Sequence, residues 1–333
     1  MKKILQKKID YSYLSIDPSN IVIDSTIDFD CYIKRYNGYV IIINKGTKIT
    51  QSLYDNISKQ EKVYIHQLQQ EIYSQYASKH EFNSNIYENQ MTPEQIKKLI
   101  HTNEPIEKKI LALYLYANNI MYEYFHKDSD LFSLSNLEFY VDSLIYVITN
   151  ANYTFENFLE ILPDEFVLSS HSVSVSMLST LLAKELNMTQ NQLHALCIAA
   201  ILHDVGNRSI QNTILNKESS LTLDEIELMQ KHVIESVNIA KKSGVRDSQV
   251  LTAIEAHHEK LDGSGYPKQL RGNQIPIFAQ IIAVCDIFDA LTTHRTYRKK
   301  YSSFDALVVM KSEMKKELSS KFIKQLIGFL HKK

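Results

Sequence analysis

From about residue 165 to the C-terminus, apolar residues recur at helical spacing, and the same stripes carry histidines and aspartates that a helical core must turn inward. His171 shares a face with Val175, Leu178 and Leu182, Asp204 with Leu193, Cys197 and Ala200, His257 with Val250 and Ile254, and Asp286 with Ala279 and Ile282. Together with His203, His232 and His258 they spread over five predicted helices, at 169–187, 191–204, 222–243, 247–259 and 276–294, ahead of a last helix ending near Leu330. An inward carboxylate or imidazole is costly unless it is paired, hydrogen-bonded or bound to metal, so several converging on one core need a common partner. Mixed imidazole and carboxylate donors suit first-row divalent ions, whereas an all-oxygen set would suit magnesium or calcium, and this many donors suit two ions. Singly, each residue reads as an ordinary core or surface side chain, and His126, His194 and His294 keep that reading. For the ordered set it would have to hold independently at five places.

The remainder of the chain is organised differently. At 333 residues it exceeds a usual single domain. Residues 1–90 read as a small α+β accessory or sensory module, with strands at Ile21-Val22-Ile23, Cys31 to Tyr36, Tyr39 to Ile43 and Val63-Tyr64-Ile65. Asn37-Gly38 predicts a two-residue hairpin turn, and Thr50 caps a short helix carrying Leu53 and Ile57. Met91-Thr92-Pro93-Glu94-Gln95 then opens a helical connector, 91–150, in which Thr92 is an N-cap and Pro93 the first helical residue. The expected fold class is therefore mainly α: an all-helical C-terminal domain, 151–333, behind a small α+β module.

Composition excludes several functions. A formal net charge of -1 gives no positive field for long nucleic acid. No apolar run approaches the roughly 18 residues of a membrane span, and the lysines of Met1 to Lys8 precede any signal-peptide core, so the expected location is the cytoplasm. Cys31, Cys197 and Cys285 sit in apolar runs and read as reduced, buried thiols, with a thiol nucleophile disfavoured. The accessory module and the tyrosine-rich connector helices offer surfaces for a homodimer or a signalling partner.

The most specific string is His257-His258-Glu259-Lys260-Leu261-Asp262-Gly263-Ser264-Gly265-Tyr266-Pro267, where a helix ends and two glycines and a proline build a compact loop beside the candidate ligands. With His171, His203-Asp204-Val205-Gly206, His232 and Cys285 to Thr293 followed by Arg295-Thr296-Tyr297-Arg298, it resembles the HD-GYP group of HD-domain phosphohydrolases over roughly residues 150–333. The resemblance implies hydrolysis of a bacterial cyclic dinucleotide, chiefly cyclic di-GMP, to linear pGpG or GMP. It also implies two divalent ions, iron or manganese first and zinc, nickel or magnesium as other occupants. By position, His171, His203, Asp204 and Asp286 look like ligands of one ion and His232, His257 and His258 of the other, with Asp204 bridging. Such a pair activates water and draws charge from the diester. Around it, Asp289 is expected to orient a metal-bound group, and Arg295 and Arg298 to reach phosphate oxygens. Gly265, Tyr266 and Pro267 are expected to line the substrate, Tyr266 by packing on a base.

Two departures matter. The family string continues with a lysine after His-Asp-x-Gly, and this chain has Asn207, a neutral amide that adds no positive charge at a catalytic and substrate-binding position. Arg208 and Lys217 are the cations nearby in sequence. Members with three metals carry a glutamate four residues before the first histidine; here Val167 cannot ligate, which predicts a two-metal site. The competing readings are a catalytically weak or inactive cyclic di-GMP receptor, favoured by Asn207, and another HD-type hydrolase of nucleotide mono- or triphosphates, disfavoured by the Asp262 to Pro267 loop.

Overall fold

The structure, a computed structural model, describes residues 13–35, 38–60, 62–80, 91–126, 131–162, 167–215, 217, 219–293 and 300–329. It divides into two compact units, Met1–Glu94 and Gln95–Lys333.

The first unit holds β1 (Tyr13–Ile16), β2 (Thr26–Ile27), β3 (Cys31–Arg35), β4 (Gly38–Ile43), β5 (Thr47–Lys48), α1 (Gln51–Ile57), β6 (Val63–His66) and α2 (Gln70–Lys79). An antiparallel sheet runs β1-β6-β3-β4, and β2 and β5 form a separate pair. Period-two alternation turns Leu14, Ile16, Cys31, Val63 and Ile65 into a core shared with Ile57, Tyr73 and Ala77. Thr50 caps α1 as expected, accepting from Leu53 N at 3.3 Å. The strand expected at Ile21 to Ile23 does not form: Asp17 and Pro18 build a 3₁₀ turn over Pro18–Asn20, and Asp24 at φ 65° bends the chain again. Ile21 is nevertheless fully packed, so the hydrophobic run marks a buried segment whose backbone bends instead of forming a strand. The first strand among the described residues is instead Tyr13–Ile16, which pairs with β6. In the β3–β4 hairpin Arg35 pairs with Gly38, at φ 127°, and Lys34 with Tyr39.

The second unit is helical: α3 (Pro93–Ile100), α4 (Ile106–His126), α5 (Leu134–Asn150), α6 (Phe155–Leu159), α7 (Leu168–Glu185), α8 (Gln190–Leu202), α9 (Asn212–Leu215), α10 (Leu223–Gln230), α11 (His232–Lys242), α12 (Ser248–Ala256), α13 (Ile277–Thr292), α14 (Ser303–Glu313) and α15 (Ser320–Phe329). At its centre α7 packs on α4, α8 and α13, and every residue from Ser169 to Ala183 is buried. A helix buried all round needs small or apolar side chains, and here many are serines. Their hydroxyls are partly satisfied within the helix, Ser172 Oγ donating to Leu168 O, Ser176 Oγ to Val173 O and Thr180 Oγ1 to Ser176 O. The helices α4 and α5 pack on α7 and α8 within this unit. No helix among the described residues is long and apolar enough to cross a membrane.

Three expected helices end early or break, each time at a histidine. The segment expected over 191–204 stops at Leu202 with His203 as its C-cap, and the one over 247–259 stops at Ala256 with His257 as its C-cap. The segment over 222–243 divides into α10 and α11 at Lys231, directly before His232. At all three places the imidazole bonds a backbone carbonyl of the preceding turn.

Between α8 and α9 the chain makes a 3₁₀ turn, Val205–Ser209, which lies directly against α11. Gly206 N donates to Ser236 Oγ at 2.8 Å, and a Cβ on Gly206 would stand 2.1 Å from His232 O and 2.6 Å from Ser236 N. Both obstacles are helix backbone and cannot swing aside. Gly206→Ala should therefore cost at least about 1–3 kcal/mol, the usual penalty of overpacking, read as a lowered midpoint in thermal unfolding; an unchanged midpoint would mean that the turn has slack.

Candidate metal centre

The residues singled out from the sequence meet at one place. The donor atoms of Asp204, His232, His257 and His258 lie within 4.8 Å of one another, and so do those of His171, His203 and Asp204. Asp204, which precedes the 3₁₀ turn, belongs to both sets. Its Oδ1 faces His232 Nε2 at 3.2 Å and His257 Nε2 at 3.6 Å, while Oδ2 faces His203 Nε2 at 3.5 Å and His171 Nε2 at 3.9 Å. Asp286, on α13, brings Oδ1 within 3.2 Å of His171 Nε2.

What orients these rings is the nitrogen on their far side. The Nδ1–H of His203 donates to Ala200 O at 2.7 Å, that of His232 to Met229 O at 2.6 Å and that of His257 to Ile254 O at 2.7 Å. A carbonyl can only accept, so each ring carries a proton on Nδ1 and turns Nε2 inward. His171 is held by a carboxylate instead: Asp289 Oδ2 accepts from Nδ1 at 2.7 Å, and Asp289 is 1% exposed. Asp286 and Asp289 lie three apart on α13 and reach opposite nitrogens of the same ring. The Nε2 atoms of His203, His232 and His257 and the Oδ1 of Asp204 are buried without a hydrogen-bond partner. Buried lone pairs normally find a donor. Their clustering fits a cation, and the donor set of imidazole nitrogens and carboxylate oxygens fits a first-row divalent one. The residues present thus suit the metals that their pattern implies.

The electrostatics agree. Burial drives the His203 pKa down to about 4, so this ring is neutral at pH 7, and burial beside His257 lowers His258 as well. Burial alone would raise the Asp204 carboxyl, but the His203 ring and hydrogen bonds from His232 and His257 hold it well below its ordinary value. For His171 burial works against the charged form, yet Asp286 and Asp289 outweigh it and raise the pKa to about 10. His171 therefore carries a proton at pH 7 in the metal-free protein.

The other expected site residues take varied places. Tyr266 lies beside the cluster, its ring centroid 4.8 Å from that of His258 and 6.4 Å from that of His232. Burial, with Asp204 and Asp286 nearby, pushes its hydroxyl pKa well up. Gly265 runs against the end of α12, where a Cβ would meet Lys260 N at 2.4 Å and His258 O at 2.5 Å. Asn207 is 6% exposed, and its Oδ1 has no hydrogen-bond partner. Its backbone N donates to Asp204 O at 3.0 Å, one 3₁₀ turn on, the spacing at which side chains eclipse. Neither neighbouring cation stands in for a lysine there, since Arg208 bonds Tyr124 O at 2.9 Å and Lys217 bonds Glu225. Arg295, Arg298 and His294 lie outside the described residues. His194 is on the surface facing Asp142 at 3.6 Å, and the backbone carbonyl of Val167 accepts from His171 N and Ser170 Oγ.

Reasoning from sequence missed Ser236 and the carbonyls of Ala200, Met229 and Ile254. Ser236 stands one helical turn after His232, a spacing that marks a shared face. The carbonyls carry no signal, since every residue has one.

The family model for the HD domain matches residues 156–319. The chain is 34% identical over 198 residues to a 3'3'-cGAMP-specific phosphodiesterase of Vibrio cholerae, covering 59% of this chain and 35% of that protein. It is 34% identical over 137 residues to the cyclic di-GMP phosphodiesterase PA4108 of Pseudomonas aeruginosa, covering 41% of this chain and 33% of that one. The matched segments thus span about a third of these relatives, 35% and 33%. Among solved structures, the HDG"Y"P protein Bd1817 of Bdellovibrio bacteriovorus superposes with a TM-score of 0.58 at 21% identity, covering 96% of this chain and all of that one, a likeness of fold.

Two expectations follow from the ring geometry. Because His171 must give up its proton to offer Nε2 to a metal, loading the protein with manganese at pH 7 should release protons, seen as a buffer-dependent heat in calorimetry. Loading without proton release would show that His171 stays outside the coordination. Asp289→Ala should weaken metal binding by roughly 10–100-fold, as loss of a histidine's outer partner does, with the fold retained by circular dichroism; unchanged affinity would make Asp289 irrelevant to the ring.

Proposed function

We propose that the helical unit, most of which the HD-domain family model matches, is a metal-dependent phosphodiesterase of the HD-GYP kind that hydrolyses a cyclic dinucleotide. The observation that carries this reading is the convergence of unpartnered Nε2 atoms on the two oxygens of Asp204. In our assignment His171, His203, Asp204 and Asp286 hold one divalent ion and His232, His257 and His258, with Asp204, a second. Iron or manganese suits this donor set best. When bound, such ions supply Lewis acidity toward a phosphate oxygen and an acidified water.

The protein's own residues do the positioning. Asp204 ties the two donor sets together through separate oxygens, and the Asp289 to His171 bond fixes the ring that faces Asp286. Tyr266 offers an apolar ring edge beside His258 on which a base can pack. Asn207 is assigned to a substrate phosphate, which its side-chain amide can hydrogen-bond without adding charge. Arg295 and Arg298 are assigned to phosphate oxygens. The activities named for the relatives include both cyclic di-GMP and 3'3'-cGAMP hydrolysis, which supports the cyclic dinucleotide class. Within it we assign cyclic di-GMP, released as linear pGpG or GMP.

A second reading has its own observation. A buried neutral amide at Asn207 supplies less stabilisation to a charged phosphate than an ammonium would, which favours a slow enzyme or a cyclic di-GMP receptor. One assay separates them. Protein loaded with iron or manganese under anaerobic conditions should convert cyclic di-GMP, or 3'3'-cGAMP, to linear product by chromatography, and Asp204→Ala should remove that conversion. Asn207→Lys should raise turnover by about tenfold, the equivalent of about 1.4 kcal/mol of transition-state stabilisation. Tight binding without turnover in either metal, unrelieved by Asn207→Lys, would refute the enzyme and leave the receptor.

A further inference from the structure

Directly after the paired histidines lies Glu259, a carboxylate only 4% exposed. It offers nothing to the metal centre in this structure. Its Oε1 accepts from Lys268 N at 2.6 Å and its Oε2 from Leu270 N at 2.9 Å, so both oxygens are spent on backbone beyond Pro267. The chain between is drawn into a closed loop. Asp262 Oδ1 accepts from Ser264 N at 2.9 Å, Gly263 turns at φ 81°, and Tyr266 N donates to His258 O at 3.3 Å. Gly265 crosses so close to this backbone that a Cβ would lie 2.5 Å from Glu259 Cα. The loop's one large ring, Tyr266, is thereby held 4.8 Å from His258.

Between Tyr266 N, bonded to His258 O, and Leu270 N, bonded to Glu259, the only other backbone attachment described is Lys268 N, also on Glu259. We propose that Glu259 is a positioning residue: by clamping the amides of Lys268 and Leu270 it fixes where Tyr266 stands relative to His258, and so sets the affinity of the site for the base of its nucleotide. This rests on the phosphodiesterase reading above and names a residue that determines substrate binding within it. The bland alternative is a carboxylate that merely satisfies two buried N–H groups. The two differ in consequence, since a clamp acting through Tyr266 changes substrate binding while leaving metal and chemistry in place.

The comparison is wild type, Glu259→Gln and Glu255→Gln, each loaded with manganese. A glutamine presents one acceptor and sets its NH2 against an N–H donor, so one of the two clamp bonds is lost. Glu255 pairs with the side chain of Lys268 at 2.6 Å and controls for loss of charge beside the same residue. Glu259→Gln should raise KM about tenfold, with kcat within about twofold and manganese content unchanged, and Glu255→Gln should leave KM in place. An unaltered KM, or a fall in kcat accompanied by loss of manganese, would overturn the proposal.

Amide hydrogen exchange reads the same clamp without any activity. Glu259→Gln should speed exchange from Tyr266 through Leu270, whereas acceleration confined to Lys268 and Leu270 would show that Tyr266 is held independently and would also overturn it. If wild type neither binds nor cleaves a cyclic dinucleotide, the phosphodiesterase reading fails by itself, and the exchange pattern still decides whether Glu259 positions Tyr266.

Discussion

The arrangement depends on what happens at the outward nitrogens of the histidines. Three imidazoles give their Nδ1 protons to carbonyls one turn back, and a fourth gives its own to Asp289. Each bond places a proton on Nδ1 and fixes the ring plane, which turns Nε2 inward toward Asp204. Without those acceptors the same side chains would be free to rotate or protonate, and a cluster of like rings would separate. Site geometry and helix geometry are therefore one problem. The helices α8 and α12 and the α10–α11 junction end beside these histidines.

The cost of this arrangement explains the rest of the helical unit. Buried lone pairs that face one another are unfavourable until a cation occupies the space between them. They persist because α7, buried along nearly its whole length, holds His171 rigidly against α13, while the Gly206 turn locks Asp204 onto α11. A divalent ion that binds only the folded arrangement adds its binding free energy to the stability of this unit, so metal content and folding are linked.

The chain's own character lies in what surrounds that centre. The loop through Tyr266 is tied back to the end of α12 by Glu259 and by the close passage of Gly265, so the residue beside the metal site is set by backbone geometry. Asn207 brings hydrogen-bonding capacity without charge to a buried position next to Asp204.

The helical fold class and the identity of the clustering residues were legible in the sequence, because helical periodicity puts side chains on faces and burial demands that inward polar groups share a partner. The motif spacing from His257 to Pro267 also marked the loop. What the linear order could not supply was the orientation of each ring, since that is fixed by carbonyls no different from their neighbours, nor the packing of Gly206 against α11, which involves residues 30 apart. The misplaced strand at Ile21 has the same origin: its hydrophobicity reported burial correctly, but the turn at Asp17 and Pro18 took the backbone elsewhere. Composition and spacing determine which groups must be buried together; only tertiary packing decides which atoms of those groups face each other, because that choice is made by hydrogen bonds to backbone that every residue possesses.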